Sequence, residues 1–346
     1  MELSWRRVRV PLREPFVTAH GAVSDRELIL VSLRAADGLE GHGEAAPLET
    51  YDGVAIDTVA RALEDCRPVL AAYPDAAPVA DVLARCSEAT VVAPALSALD
   101  LALWDLAGRR VREPVWRLLG AARPPRVTVN LTIATTDRSS AAREAAQARV
   151  DGFRTIKVKV GVGDDAGRLA AVRAFAGPEI AIRIDANGAW SHDQARAALD
   201  ALEPVGLELC EEPVHGAATT RRLWTEVGVP LALDESAHDP DAMTRPAADA
   251  LCLKLGRCGG ISGTIDAAMR ARALGYDVYL ASTLDGPLGI AGALHAAAVI
   301  APRRASGLAT LALFEGRPDP LPAVRGAIAP AAGPGLGEGL LDWYPR

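Results

Sequence analysis

The chain has 346 residues, half of them apolar, which is enough for a barrel-sized core and a smaller companion, and no segment carries the composition of a disordered tail. A net charge of −7 with scattered arginines argues against a nucleic-acid surface, because phosphate binding needs clustered cations. The five cysteines, at positions 66, 86, 210, 252 and 258, form no CxxC pair, so reduced thiols in a cytoplasmic protein are expected.

In chain order, Met1 to Leu12 has no apolar h-region, so no secretory signal is expected. Trp5 to Leu12 alternates Val8, Val10 and Leu12 with Arg7 and Arg9, which predicts a strand with one wet face. A second strand, Glu27 to Ala35, turns at Asp37-Gly38 into a third around Leu39 to Ala46, giving an antiparallel meander. Glu14 to Ser24 and Pro47 to Gly53 read as polar loops able to act as a lid, and Phe16, Thr18 and Tyr51 are their candidate substrate contacts.

Helical pattern runs from Asp57 to Val111. It is clearest over Ala93 to Arg110, where Leu96, Leu99, Leu103 and Leu106 recur at three and four. Apolar residues on several faces predict a helix packed between two bodies. A Pro/Arg break at Ala121 to Pro125 then divides an N-terminal α+β capping domain, 1–122, from a catalytic barrel, 123–315; the segment 316–346 is expected to return to the cap.

The barrel reading begins with a strand over Val127 to Ile133 and a helix over Arg138 to Val150 that ends at Gly152. Five short apolar runs follow, each ending in charge: FRTIKVKVG, IRIDANGAW, LELCEEPV, LALDES and LCLKLGRCGG. Their alternation with helical stretches predicts a parallel βα barrel with functional groups at the strand C-termini. Ser191 to Gln194 forms an S-x-x-Q capping box, and Ser262 or Thr264 is expected to cap the helix after Gly259-Gly260. Strands near Val278 to Ser282 and Gly307 to Leu313 bring the count to eight. The apolar run around Gly289 to Pro302 contains His295 and is shorter than the roughly 18 residues of a membrane span, so no membrane partner is expected.

The charges at the strand ends form a row: Lys157 and Lys159, Asp185, Glu211, Asp234, Lys254. Positions 159, 185, 211, 234 and 254 differ by 26, 26, 23 and 20, about one strand and one helix each, so all five converge at the same end of a closed barrel. Asp185, Glu211 and Asp234 suit a hard divalent cation, Mg²⁺ foremost with Mn²⁺ as a substitute. Such an ion stabilises the enediolate left when a proton is removed next to a carboxylate. Lys159 is the expected base, Lys157 the neighbouring charge that tunes it, and Lys254 a second acid/base or a fixed cation on the other side. Asn187 and Glu235 are expected to orient these groups. The six histidines show no H-x-x-x-H spacing, so zinc is not expected.

KVKVG at Lys157 to Gly161, RIDANGAW at Arg183 to Trp190, CEEP at Cys210 to Pro213, LDES at Leu233 to Ser236 and LKLGRCGG at Leu253 to Gly260 resemble the enolase superfamily, and within it the muconate-lactonizing subgroup. The resemblance covers essentially the whole chain. It implies a modified TIM barrel of the (β/α)7β type beneath an α+β cap, magnesium held by Asp185, Glu211 and Asp234, and a catalytic pair, Lys159 and Lys254. Dipeptide epimerases of the subgroup carry Asp-x-Asp at the eighth strand, where this chain has SGLATLALFEG. The seventh-strand segment ASTLDGPLG resembles the S-x-E/D-S-x-x-G loop of o-succinylbenzoate synthases, and Gly307 to Thr310 their G-L-x-T. The resemblance thus implies a dehydratase (lyase) of menaquinone biosynthesis, with Ser282, Thr283, Asp285, Gly286 and Thr310 as substrate contacts. N-succinylamino acid racemases, dipeptide epimerases and muconate cycloisomerases share the same machinery. The expected partner is a small carboxylate substrate, in a homo-oligomer. A lysine Schiff-base aldolase and a catalytically silent binding homologue are the readings from other classes.

Overall fold

The computed structural model describes residues 1–18, 21–161 and 163–345, and the backbone alone of Thr18. Strands β1 (Glu2–Thr18), β2 (Gly21–Arg34) and β3 (Glu40–Ala45) form the antiparallel meander. Glu14 to Ser24 is not the loop expected. β1 continues through it and pairs Phe16 with Val23 and Val17 with Ala22, after a register shift between Pro11 and Phe16. The irregularity hides the alternation that would have revealed a strand. Ala19 and His20, inside the expected lid, lie outside the described residues. Pro47 to Gly53 holds a single helical turn, Glu49–Asp52.

Helices α1 (Ile56–Ala72), α2 (Val79–Ala89) and α3 (Ala93–Val111) cover the meander. α3 lies so close to β3 that a Cβ on Gly43 would stand 2.0 Å from the Ala98 carbonyl oxygen, so only glycine fits there. As its mixed apolar faces predict, α3 serves two cores: Leu99 and Leu103 pack with the meander, while Leu101 packs with the barrel.

The barrel strands are β4 (Leu131–Ile133), β5 (Thr155–Lys159), β6 (Ala181–Asp185), β7 (Leu207–Glu211), β8 (Leu231–Leu233), β9 (Ala250–Lys254) and β10 (Asp277–Ala281). They form one parallel sheet in sequence order. Helices α4 (Arg138–Val150), α5 (Asp165–Ala176), α6 (His192–Leu202), α7 (Ala217–Trp224), α8 (Ile261–Ala273) and α9 (Pro287–Ile300) lie between or after them. The Ser191 capping box forms as expected.

Three local expectations are corrected. No side chain of Ser262 or Thr264 caps α8; instead Asp100 of α3 accepts from the Ser262 backbone N–H at 3.2 Å and from its hydroxyl at 2.6 Å, so the cap comes from another helix. The first strand is split: Val127–Thr128 pairs antiparallel with Ala327–Ile328, and only Leu131–Ile133 joins the barrel sheet. Gly307 to Leu313 is not a strand either. Parallel bridges from Ser306 to Val129 and from Gly307 to Ala281 close the barrel, and Leu311–Leu313 is a 3-10 turn.

The C-terminal segment runs back across the cap. Leu336 N–H donates to Asp105 Oδ1 at 2.8 Å, Pro345 O accepts from Arg6, and Trp343 packs edge-on against Phe314. His295 is fully buried, accepting from Trp116 N–H and reaching the Leu336 carbonyl, a packing role. The five cysteines are free thiols. Among the described residues no helix is long and apolar enough to cross a membrane.

Candidate active site

Period-two geometry turns Lys157 and Lys159 of β5 to the same side, and the last residues of β6, β7 and β9 bring Asp185, Glu211 and Lys254 to the same end. Asp234 follows β8 directly. All six side chains are buried.

Their contacts form one network. Lys157 Nζ lies 2.8 Å from both Asp185 Oδ2 and Glu211 Oε1. Lys159 Nζ donates to Asp185 Oδ2 at 2.6 Å and to Asn187 Oδ1 at 2.9 Å. Lys254 Nζ donates to Asp234 Oδ2 at 2.6 Å. Asn187, in the left-handed region at φ 45°, links Asp185 to Glu235: its backbone N–H donates to Asp185 Oδ1, and its side-chain N–H to Glu235 Oε1 at 3.0 Å.

Burial pushes the Asp185 carboxyl up, but Lys157 and Lys159 outweigh it and hold the group well below the usual carboxylate range. Glu211 moves the other way: burial raises it and the neighbouring acids add to that, with Lys157 opposing. Burial alone would lower Lys157 and Lys254, yet the surrounding carboxylates keep both ammoniums above the usual lysine range.

Two contributors escaped the sequence reading. Tyr279 of β10, fully buried, donates its hydroxyl hydrogen to Glu211 Oε2 at 2.8 Å. Glu212, at φ 39°, accepts from the backbone N–H groups of Asp234 and Ser236 and from the Ser236 hydroxyl, fixing the turn that carries Asp234. A compositional signal points at the site as well. Only 3 of the 37 basic residues are lysines, at positions 157, 159 and 254, and every other is arginine. Lysine can lose its proton where arginine cannot, so every side-chain amine able to do so stands at this one site.

A cavity opens over the network. Phe16, Val23, Leu48, Thr50 and Tyr51 line it from the cap, and Thr132, Ser282, Thr283 and Thr310 from the barrel. Phe16, Tyr51, Ser282, Thr283 and Thr310 are therefore brought to the site, whereas Thr18 ends β1 with its side chain outside the described residues. Asp285 and Gly286 are not among the residues lining the cavity. Asp285 accepts from the Thr283 hydroxyl, and Gly286 N–H donates to the buried Glu44, so both are drawn into the junction with the cap.

The donor set fits a hard divalent cation: three buried carboxylates on neighbouring strands, two of which already hold an ammonium between them. Among the described residues the tightest group of potential ligand atoms is Glu211, Asp234 and Cys252, all within 4.8 Å of one another. A hard cation prefers carboxylate oxygen to a thiol, and Asp185, joined to Glu211 through Lys157, offers a third carboxylate.

Residues 1–120 match the family profile described as mandelate racemase / muconate lactonizing enzyme, N-terminal domain, and residues 140–342 match the enolase C-terminal domain-like profile. The chain is 30% identical over 304 residues to an L-Ala-D/L-Glu epimerase of Bacillus subtilis, covering 84% of this chain and 83% of that protein. It is 30% identical over 299 residues to muconate cycloisomerase 1-1 of Acinetobacter lwoffii, with 83% and 79% covered. The dipeptide epimerase from Cytophaga hutchinsonii complexed with Mg and the dipeptide D-Ala-L-Val superposes with a TM-score of 0.87 at 26% identity, over 100% of this chain and 99% of that one. The chain belongs to the mandelate racemase / muconate lactonizing enzyme family of the enolase superfamily.

Proposed function

We propose that the protein removes the proton alpha to a substrate carboxylate and returns a proton to the same carbon, a racemisation or epimerisation dependent on magnesium. The observation that carries this reading is the placement of Lys159 and Lys254. They stand on the second and sixth of eight positions around the barrel, hence across from one another, and both line the same cavity.

Lys159 Nζ, as the free amine, takes the proton from one face of the carbon, and the Lys254 ammonium delivers one to the other face. The enantiomer exchanges these roles. Asn187 accepts from Lys159 and so aims it, while Lys157 keeps positive charge between Asp185 and Glu211. Asp185, Glu211 and Asp234 would hold the metal. When bound, magnesium supplies positive charge opposite the substrate carboxylate and thereby eases loss of the alpha proton.

The dehydration expected from the sequence is the second reading, supported by Thr310 in the synthase-like G-L-x-T, while Thr283 and Gly286 stand where the loop motif has its two serines. It uses Lys159 as base and Lys254 only as a fixed cation. Proton exchange in D2O, followed by NMR, separates the two. Under the first reading, Lys159→Arg abolishes alpha-deuteration of one enantiomer and Lys254→Arg that of the other. A cyclohexadiene substrate turned over to an aromatic product, with no exchange into any amino acid derivative, would establish the second.

A further inference from the structure

Arg26 of β2 is 3% exposed and reaches from the cap to the barrel without lining the cavity itself. Its Nη2 donates to the Ala46 carbonyl at 2.8 Å and its Nε to the Leu284 carbonyl at 3.4 Å. The two acceptors belong to opposite walls of the mouth. Ala46 leads into the cap turn that brings Leu48, Thr50 and Tyr51 to the cavity, and Leu284 lines it from the loop after β10.

Both segments depend on outside anchors. Glu49–Asp52 is a single helical turn, which fixes many dihedrals for few bonds. Asp52 closes that turn on itself, accepting from Leu48 N–H at 3.0 Å and Val54 N–H at 2.8 Å. Its position relative to the barrel is therefore set by Ala46 and by Tyr51, whose hydroxyl reaches Asp234. Leu284 stands at φ 60°, in the left-handed region, and a residue with a Cβ keeps that conformation only where its surroundings hold it.

Hydrogen count and charge single out Arg26 as the holder. Thr283 Oγ1 lies 3.3 Å from the Ala46 carbonyl, but its one hydrogen goes to Asp285 Oδ1, nearer at 2.7 Å. The guanidinium is thus the donor on which Ala46 relies. Asp285 is its strongest charged neighbour, followed by Asp52, Glu44 and Asp25. Asp285 in turn feels Arg26 more than Lys254, so the bond to the Leu284 carbonyl and the pull on Asp285 act on one peptide link.

We propose that Arg26 is a positioning residue of the site: it holds the Tyr51 turn of the cap and the Leu284 loop of the barrel at a fixed separation across the cavity mouth, and through Tyr51 it steadies Asp234. The last clause rests on the reading of Asp234 as a metal ligand, and the experiment keeps the two apart. Amide hydrogen exchange, read by mass spectrometry, is compared in the parent protein, in Arg26→Met, and in Arg26→Met with Asp285→Asn, which leaves no buried carboxylate without its partner. Segments 46–53 and 282–286 are expected to exchange about ten-fold faster in both variants, with α1 and α2 unchanged. The double variant regains most of the melting temperature lost by the single one yet keeps the faster local exchange, because the two carbonyls still lack their donor. Its magnesium affinity, by calorimetric titration, falls roughly 3- to 10-fold, which a residue serving stability alone would not cause. Parent-like exchange of both segments in the double variant, or faster exchange spread evenly over the cap, overturns the inference, and the double variant decides this even where Arg26→Met alone does not fold. Unchanged affinity, where the parent binds the metal, overturns the link through Tyr51. A parent protein that binds no magnesium overturns the metal reading instead, and the exchange measurement still decides the role of Arg26.

Discussion

Tyr51, carried by the cap, donates its hydroxyl hydrogen to Asp234 Oδ1 at 2.8 Å, and the same ring lies 3.7 Å from the Lys254 ammonium. Burial, and then Asp234 and Glu235, raise the phenol well above its ordinary range, so it remains a donor. One cap residue therefore holds both a proposed metal ligand and a proposed proton carrier.

Tyr51→Phe keeps the ring over Lys254 and removes the bond to Asp234. Magnesium affinity, measured by calorimetric titration, is expected to fall by about ten-fold or more while the melting temperature barely moves. Unchanged affinity would mean that Asp234 is held well enough by Lys254 alone.

Glu212→Ala leaves the N–H groups of Asp234 and Ser236 buried without their acceptor. A loss of about 2–6 kcal/mol in urea unfolding is expected, at ~1–3 kcal/mol for each orphaned group. Weakened metal binding should accompany it, because the turn bearing Asp234 loses its anchor. A variant as stable as the parent would show that the turn is held by other contacts.

Arg183 is fully buried, donates to the Ala305 carbonyl at 2.9 Å, pairs with Glu208 and stacks on Tyr279. It thus ties β6 to the segment that closes the barrel. Arg183→Met is expected to cost about 3 kcal/mol in urea unfolding. Increased hydrogen exchange at Ser306 and Gly307 should go with it, and protection left intact there would argue against a closing role.

Stability should be nearly level between about pH 4.5 and 6.5 and fall above that. Burial pushes Glu44 up to about 8 and Asp100 up to about 7, so each is protonated in the fold at a pH where the unfolded chain has lost the proton. Their contribution is complete below about pH 4 and is lost as pH rises through 7 and 8. His238 and His295 run the opposite way. Burial lowers both to about 4, so their contribution is present above about pH 6.5 and is lost as pH falls toward 4. Thermal melts from pH 4 to 9 test the curve, and Glu44→Gln should flatten its alkaline limb.

The strand-tip charges were legible in the sequence because a period of two and a βα spacing leave a charged residue at the end of an apolar run little freedom in where it points. The eighth barrel position was not legible. Its pairing reduces to Ser306 and Gly307, and no periodicity can be read from two residues. Tyr279 sits in the apolar run DVYLA and passes for core, and Glu212 beside Glu211 passes for a helix cap. Their roles come from Glu211 and from the Asp234 turn, partners on neighbouring strands. The long hairpin was masked by the register shift after Pro11, and the Asp100 cap on α8 joins groups 162 residues apart.

Lysine scarcity has a practical side. Every ε-amine of the chain stands inside the cavity network, 7 to 8% exposed, and the outer surface carries its positive charge as guanidinium. An amine-selective reagent such as formaldehyde with a borohydride donor has no surface side chain to consume it. Label appearing on a lysine peptide would thus report directly on whether the mouth is open or plugged by a bound molecule.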